Sequence, residues 1–468
     1  MATSGAALLL PVPFSLAEGD GLWGAFAFPA AVFILLGGAM AWAGREHPER
    51  LLVREGACML VSMWCLLTAT AMLPYLISGT LSPADALTEG VSGVTTTGLT
   101  LLPDAAPRPL VFWRSLTQWL GGVHIILLLM AIVPQVAEWS GMSLVMARGQ
   151  TAGQLLASVH RLSKRVIGVY AGATAIFAMV FAGLGLSAFD AVNLSMVTLA
   201  TGGCYTPESL AGERNGWLSL ALMAAMLFSA GNFFFYVETV RRRTVSGSGG
   251  AKEIRTMLAL VASAGLFVSL HLWSSGVYDF SESLRQGFFS SAAFLSTTGT
   301  DPAGLAGWPD FDRFVLMLLA FVGGCIASSS GGLKIVRLVV LVNASLAELR
   351  RTLHPRMMLR ISALGRVVPL AMVGQILSFF ALYTAVLFGA AMVLSLTGLA
   401  PLSALGLSAA CLTSAGPAAL LVGDVSVYAA MSENGRLLCC GLMLLGRLEI
   451  FSFLFAIQTM ASRWTRRW

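Results

Sequence analysis

The chain has 468 residues, of which 57% are hydrophobic and only 11% are charged. A soluble protein of this length needs far more polar surface, so the composition predicts a polytopic membrane protein with lipid as its first partner. The formal net charge of +6 is explained by basic loops beside a membrane, and it gives no reason to infer nucleic-acid binding.

Several apolar runs are long enough to cross a bilayer as helices, at roughly 20 residues per span. In chain order they cover residues 22–44, 56–78, 108–134, 165–186, 215–240, 256–276, 311–347, 366–396 and 425–461. Residues 5–15 are apolar but too short to span. We expect the N-terminal segment either to lie outside the membrane or to pack against the helix bundle.

Four shorter apolar segments lie between long runs, and each ends in threonine, serine or alanine followed by glycine. The segments are 82–98, 187–203, 282–299 and 400–416. The motifs that end them are Thr96-Thr97-Gly98, Thr201-Gly202-Gly203, Thr297-Thr298-Gly299 and Ser414-Ala415-Gly416. Glycine tolerates positive φ, so successive carbonyls can face one axis and replace the water around an alkali cation. The pattern predicts four re-entrant pore helices with a shared filter, although any one glycine could simply end a helix.

Basic residues cluster in the connections that follow each helix pair and at the C-terminus. Examples are Arg148, Arg161, Arg241, Arg242, Arg243, Arg350, Arg351, Arg463, Arg466 and Arg467. Because Lys and Arg accumulate in cytoplasmic loops, these connections and the C-terminus are predicted to face the cytoplasm. The four motif glycines then lie toward the outside.

The order helix, re-entrant segment, helix predicts an all-α fold of four parallel repeats around a central pore, with one extra N-terminal helix. The predicted divisions are an N-terminal segment 1–55 and pore repeats 56–164, 165–255, 256–365 and 366–468. All four repeats share one orientation, unlike the inverted repeats of many secondary transporters. Residues 246–250, Ser-Gly-Ser-Gly-Gly, are predicted to be a flexible linker.

The four motifs and several other stretches together resemble the Trk/Ktr/HKT superfamily of potassium and sodium transporters, in particular its bacterial Trk branch. The other matching stretches are 82–93, 112–122, Gly231-Asn232-Phe233, 323–325, 328–334 and Gly446-Arg447-Leu448-Glu449. The resemblance covers about residues 56 to 455. It implies a multi-pass protein of the bacterial cytoplasmic membrane that conducts ions.

Further expectations follow from this resemblance. Glycine in all four motifs is similar to the potassium-permeable members, so K⁺ is the expected ion, with Rb⁺ accepted and Na⁺ disfavoured. The resemblance also implies a homodimer that docks on a cytoplasmic, nucleotide-binding Trk-type regulatory subunit. The sequence contains no phosphate-binding loop and no metal-ligand spacing. We therefore expect neither an enzyme nor an organic cofactor in this chain.

A glycine- and serine-rich run, residues 323–332, interrupts the apolar span 311–347. Irregular backbone at membrane depth is tolerated only where protein buries it or water lines it. The run is predicted to break the helix beneath the filter, and in the family its equivalent is an intramembrane gate. A surface of small residues for helix packing is the alternative.

Arg447 is predicted to face the cavity beside the run, or alternatively to form an interhelical salt bridge. The candidate gating residues are Gly323, Gly324, Ser328, Ser329, Ser330, Gly331, Gly332, Lys334 and Arg447.

Two other functions remain open: an ion-coupled secondary transporter, and a channel-like subunit of an ATP-driven potassium pump. Carboxylates buried at mid-membrane would favour the first, and the sequence indicates no convincing one besides Glu449, which is expected to have a structural role. Asp85, Glu89 and Asp190 could attract cations to the outer mouth, but helix capping or pairing with Arg114 explains them equally well. His124 is interpreted as a packing histidine.

Overall fold

The computed structural model describes residues 1–44, 53–103, 105–132, 152–205, 216–242, 249–300, 305–354, 360–416, 428 and 430–448. Nearly all of this part of the chain is helical, as the composition predicts. The helices are α1 (Ala2–Ala7), α2 (Val12–Glu18), α3 (Trp23–Ala43), α4 (Val53–Ile77), α5 (Pro83–Val94), α6 (Arg108–Ile132), α7 (Ala152–Gly183), α8 (Ala188–Leu199), α9 (Gly216–Ala230), α10 (Phe233–Arg242), α11 (Gly249–Ser274), α12 (Phe280–Leu295), α13 (Asp310–Val322), α14 (Ile335–Leu353), α15 (Leu370–Ser395), α16 (Pro401–Thr413) and α17 (Glu433–Arg447).

One short hairpin departs from the helical pattern. Strands β1 (Ser362–Ala363) and β2 (Arg366–Val367) pair antiparallel, with Ser362 opposite Val367. Leu364 and Gly365 connect them with φ of 51° and 82°. Positive φ at both central residues is the geometry of a tight two-residue hairpin turn.

The same order of helices occurs four times: a long helix, a short helix followed by a motif that contains glycine, and a second helix. The four sets are α4–α5–α6, α7–α8–α9, α11–α12–α13 and α15–α16–α17. In every set the short helix packs against the long helix that precedes it. Four described helices are long and apolar enough to cross a membrane: Trp23–Ala43, Arg161–Gly183, Gly249–Ser274 and Leu370–Ser395.

The N-terminal segment packs against the bundle, which was one of its two expected placements. Helix α1 lies along α3, so close that a methyl group built on Gly37 would lie 2.4 Å from the backbone nitrogen of Ala2. Phe26 of α3, Tyr75 of α4 and Trp113 of α6 form the buried core beneath it. The extra helix therefore packs on the first of the four sets.

The second helix of the second set is broken, whereas the sequence predicts one continuous span over 215–240. Helix α9 ends at Ala230, α10 begins at Phe233, and the two axes are bent by 92°. Asn232 is the physical reason, because its side-chain Oδ1 accepts hydrogen bonds from the N–H groups of Phe234 and Phe235, both at 3.1 Å. Such a side chain caps a new helix.

The predicted linker at 246–250 is wrong at its second half. Gly249 and Gly250 are buried and already belong to α11. A methyl group on Gly250 would lie 2.9 Å from Cβ of Phe235, so packing against α10 orders this glycine pair. In the third set, by contrast, the helix stops at Val322 and resumes at Ile335, which is the interruption that the sequence indicates.

Candidate ion pathway

Each short helix ends in the same hydrogen-bonded turn. Just past the helix, a backbone N–H reaches back to the carbonyl oxygen five residues earlier, at 2.9–3.1 Å. This bond identifies a Schellman ending, which satisfies carbonyl groups that the helix leaves free. The donors are Thr97, Gly202, Thr298 and Ala415, one from each predicted filter motif.

The turn forces a hydroxyl-bearing residue of each motif into the left-handed region. The φ angles are 55° at Thr96, 56° at Thr201, 59° at Thr297 and 51° at Ser414. Glycine usually takes this position. For a β-branched threonine a positive φ is an outlier, at a cost of about 1–3 kcal/mol where such strain occurs. Sequence reasoning assigned left-handed geometry to the glycines only, so this second strained position is new.

The four motif glycines also have positive φ, and they lie against the backbone of neighbouring motifs. A methyl group built on any of them would overlap a carbonyl oxygen, and real Cβ atoms do not approach so closely. Measured from the built methyl carbon to the oxygen, the distances are 1.7 Å between Gly98 and Gly202 O, 1.7 Å between Gly203 and Thr298 O, 2.1 Å between Gly299 and Ala415 O and 2.5 Å between Gly416 and Thr298 O. The motifs, about 100 residues apart in sequence, thus contact one another through backbone oxygens, the first with the second, the second with the third and the third with the fourth.

The short helices α5, α8, α12 and α16 each end directly before one of these contacting motifs. The C-terminal end of a helix carries about half a negative elementary charge, which stabilises a nearby cation. Carbonyl and hydroxyl oxygens are the ligands that hard alkali cations prefer. Among the described residues, no group of three His, Cys, Asp or Glu side chains could hold a metal ion.

The 323–332 loop lies buried beneath the motifs. The carbonyl oxygen of Ser329 accepts a hydrogen bond from Thr201 Oγ1 at 3.0 Å, and the N–H of Gly331 donates to Thr297 Oγ1 at 2.8 Å. A methyl group on Gly331 would lie 1.7 Å from the carbonyl oxygen of Thr413. The loop therefore contacts the second, third and fourth sets directly.

Arg447 connects the loop to the remaining motif. Its side chain is 3% exposed, and Nη2 donates both to Thr96 Oγ1 and to the carbonyl oxygen of Ser329, the latter at 2.7 Å. Within the part of the chain that the structure describes, no carboxylate pairs with it, so the salt-bridge alternative gains no support there. Glu449 lies outside the described residues.

Polar groups hold the loop in its own conformation. The hydroxyls of Ser328 and Ser330 lie 2.7 Å apart, and the N–H of Gly324 donates to Ser330 Oγ at 3.0 Å. The Lys334 ammonium is buried and donates to the carbonyl oxygen of Ser330. Two buried cations, Lys334 and Arg447, thus bind the loop at neighbouring carbonyl oxygens, those of Ser330 and Ser329.

The candidate acidic residues of the outer mouth have structural partners. Asp85 and Asp190 each accept a hydrogen bond from the serine that caps their helix, at 2.8 Å, and Asp85 also pairs with Arg436 at 2.8 Å. Glu89 is buried and accepts from the N–H of Leu101 at 2.8 Å. His124 bonds the carbonyl oxygen of Leu120 within its own helix at 2.7 Å, as a packing histidine does.

Three carboxylates other than Glu449 are buried in the part of the chain that the structure describes. Glu89, Glu253 and Asp312 are each 2% exposed or less. Asp312 pairs with His271 at 2.8 Å, and Glu253 contacts Asn232 and the N–H of Ile326. All three lie in the first turns of a helix or within a short helix, where a sequence window that looks for charges in the middle of long spans misses them.

Known proteins are similar to this chain over nearly its whole length. The TrkH family model, described as cation transport protein, matches residues 25–464. The Trk system potassium uptake protein TrkH of Halomonas elongata is 30% identical over 454 residues, covering 94% of this chain and 93% of that protein. TrkH of Vibrio parahaemolyticus is 31% identical over 471 residues, covering 96% and 94%. The crystal structure of the potassium transporter TrkH from Vibrio parahaemolyticus superposes with a TM-score of 0.84, at 28% identity, covering 97% of this chain and 95% of that one.

Proposed function

The chain belongs to the TrkH family of cation transport proteins, and we propose that it takes up potassium through a channel-like pore with a four-part filter. It is a multi-pass membrane transporter and not an enzyme. K⁺ is its cargo, because the relatives of matching length are potassium uptake proteins. The four repeats 56–164, 165–255, 256–365 and 366–468 surround the pore, with 1–55 as an added segment.

One observation carries the filter proposal. Three of the four motif glycines leave no more than 2.1 Å between a built methyl group and the carbonyl oxygen of the next motif along the chain. A fold that used glycine only to end helices would not bring four distant motifs into mutual contact. Residues 96–98, 201–203, 297–299 and 414–416 then supply the oxygens that replace the hydration shell of K⁺.

The gate proposal rests on where the 323–332 loop lies. It occupies the space beneath the motifs, and Arg447 places a fixed positive charge against it. A guanidinium does not lose its proton in practice, and its repulsion of a passing cation is strengthened by low-dielectric surroundings. The loop and Arg447 together form a closed barrier that must move before ions pass.

Membership in a Trk system supports association with other Trk components. The exposed Arg350 and Arg351 at the end of α14 provide a basic surface on the predicted cytoplasmic side. We expect a homodimer, with one pore in each protomer, that binds a nucleotide-binding regulatory ring. A purified protein that stays monomeric in native lipid and fails to retain such a ring in pull-down experiments would contradict this assembly.

The test of the transport function is uptake of labelled rubidium into liposomes that contain the purified chain. Excess potassium should compete with rubidium, whereas sodium and lithium should compete far less. Expression should also restore growth at low potassium to cells without their own uptake systems. Uptake that sodium suppresses as well as potassium does would contradict the proposed ion preference.

A further inference from the structure

Two breaks in the helices meet at one carboxylate. The first break is Gly231-Asn232, between α9 and α10, and the second is the 323–332 loop. Glu253 lies between them in the second turn of α11 and is 2% exposed. Its Oε1 accepts the N–H of Ile326 at 2.6 Å, and its Oε2 accepts Nδ2 of Asn232 at 3.0 Å.

Backbone hydrogen bonds run beside this carboxylate between the same two breaks. The N–H of Cys325 donates to the carbonyl oxygen of Ala230 at 2.8 Å, and the N–H of Phe233 donates to the carbonyl oxygen of Ala327 at 3.2 Å. The first limb of the loop, residues 325–327, is therefore attached to the second repeat by backbone hydrogen bonds and to α11 through Glu253. Glu253 binds both breaks through one carboxylate.

The orientation of Asn232 is fixed, which makes the contact specific. Its Oδ1 already accepts the N–H groups of Phe234 and Phe235, so Nδ2 must face the carboxylate. The Lys334 ammonium is near enough to interact with Glu253 electrostatically, and it also donates to the loop at Ser330. A buried carboxylate that satisfies two donors beside a cation is stabilised by both effects.

We propose that Glu253 is the positioning residue that holds the 323–332 loop in its closed place, by clamping Ile326 to the helix break at Asn232. This inference rests on the proposed gate. Removal of the clamp frees the first limb of the loop, so the loop leaves the pathway more often. Ion selection is unaffected, because none of the clamp residues contacts a filter motif.

The chemistry of the pair provides a swap test. In Glu253→Gln the new Nε2 faces the fixed Nδ2 of Asn232, and two donors meet. In Asn232→Asp two carboxylates meet. In the double variant Asn232→Asp/Glu253→Gln, one aspartate oxygen can accept from the glutamine amide while the other accepts Phe234 and Phe235, and glutamine Oε1 still accepts Ile326. Formal charge and hydrogen-bond count are both restored.

The readout is rubidium uptake into liposomes without any regulatory partner, together with the rubidium-over-sodium preference. Each single variant should raise basal uptake at least about tenfold, the fold-change that corresponds to losing roughly one buried hydrogen bond to a charged group. The double variant should return close to wild type, and the ion preference should not change in any of them. Glu348→Gln, which removes an exposed carboxylate of α14, is the matched control and should not alter uptake.

A variant with a shortened 323–332 loop separates this inference from the gate proposal. The clamp proposal is wrong, and the gate proposal stands, if the shortened loop raises basal rubidium uptake but Glu253→Gln and Asn232→Asp each take up no more rubidium than wild type. If the shortened loop does not leak, the gate proposal itself fails. A double variant that leaks as much as the two single variants combined also overturns the clamp. If neither single variant folds, the double variant decides: a folded, tight protein supports the clamp, and a leaking or unfolded one contradicts it.

Discussion

Thr96, Thr201 and Thr297 each use the side-chain hydroxyl to bind the 323–332 loop or the Arg447 that holds it. Ser414, at the equivalent place in the fourth motif, has a buried hydroxyl without a hydrogen-bond partner among the described residues. Yet all four motifs share the same helix ending and the same positive φ. The turn therefore does not depend on the hydroxyl contact, and the two features have separate roles.

This difference assigns the shape of the proposed filter to the backbone and the docking of the 323–332 loop to the hydroxyls. A threonine held at positive φ is strained more than a serine, because of its branched Cβ. The first three repeats carry that strain and hold the loop by polar contacts. The fourth touches the loop through the close approach of Gly331 to Thr413 and contributes Arg447 from its second helix.

The largest expected effect comes from the glycines. Gly203→Ser places a Cβ 1.7 Å from a carbonyl oxygen, whereas Gly416→Ser places one 2.5 Å away. The first carbonyl must move further, so Gly203→Ser should weaken discrimination against sodium by about tenfold, equivalent to about 1.4 kcal/mol, and Gly416→Ser should weaken it less. Competition of sodium with rubidium uptake measures both. Unchanged preference in Gly203→Ser and in Gly98→Ser would contradict the filter assignment.

The next effect concerns Arg447. Arg447→Ala removes two buried hydrogen bonds and one fixed charge from the closed barrier, so basal rubidium flux should rise about tenfold, as expected for loss of 1.5–3 kcal/mol at a charged group. Combining it with a shortened loop should add less than the sum, because both act on one constriction. Arg337→Ala, which removes a guanidinium stacked on Phe379 at 4.3 Å, is the control. Equal basal rubidium flux through folded wild type and folded Arg447→Ala would mean that the gate does not involve Arg447.

A smaller effect distinguishes the hydroxyls. Thr297→Val keeps the shape but leaves the N–H of Gly331 without its acceptor, at a cost of about 1 kcal/mol. Basal flux should rise a few-fold. Ser414→Ala removes no hydrogen bond that the structure describes and should raise flux much less. If the two variants leak equally, the threonine hydroxyls do not hold the loop.

The smallest effect is on stability alone. Ser82 caps α5 by accepting the N–H of Asp85, whereas Ala400, at the equivalent place before α16, has no side chain that can cap the helix. Ser82→Ala should lower the free energy of unfolding by about 1 kcal/mol, and Ala400→Ser should raise it by up to about that amount. Thermal unfolding in detergent measures both changes. The two substitutions must change the free energy of unfolding in opposite directions, and the rubidium-over-sodium preference should stay the same.

The sequence predicts much of this molecule for clear reasons. Apolar runs of spanning length, four glycine motifs and the break at 323–332 depend on composition and local pattern. The 92° bend at Asn232 does not, because its cause is a side-chain cap inside an otherwise apolar span. The docking of residues 325–327 on the second repeat, and the role of Glu253 in it, depend on contacts about 70 to 100 residues apart that no local pattern encodes.

The left-handed threonines illustrate the same limit within the filter. Thr-Thr-Gly predicts a turn, but the propensities of its residues place positive φ at glycine. Only the carbonyl oxygen five residues back, and the neighbouring motifs that pack on the turn, force Thr96, Thr201 and Thr297 into that region. Such strain is a property of the assembled repeats.

The most direct test of a channel-like pathway is rubidium flux into liposomes under an imposed membrane potential, with no ATP and no proton or sodium gradient. We predict that flux follows the electrochemical gradient of the permeant ion, reverses at its equilibrium potential and increases in the Arg447→Ala variant. Flux that vanishes without a sodium or proton gradient would indicate a coupled secondary transporter. Flux that requires ATP would indicate a pump subunit. Either result would contradict the proposal of a channel-like pathway.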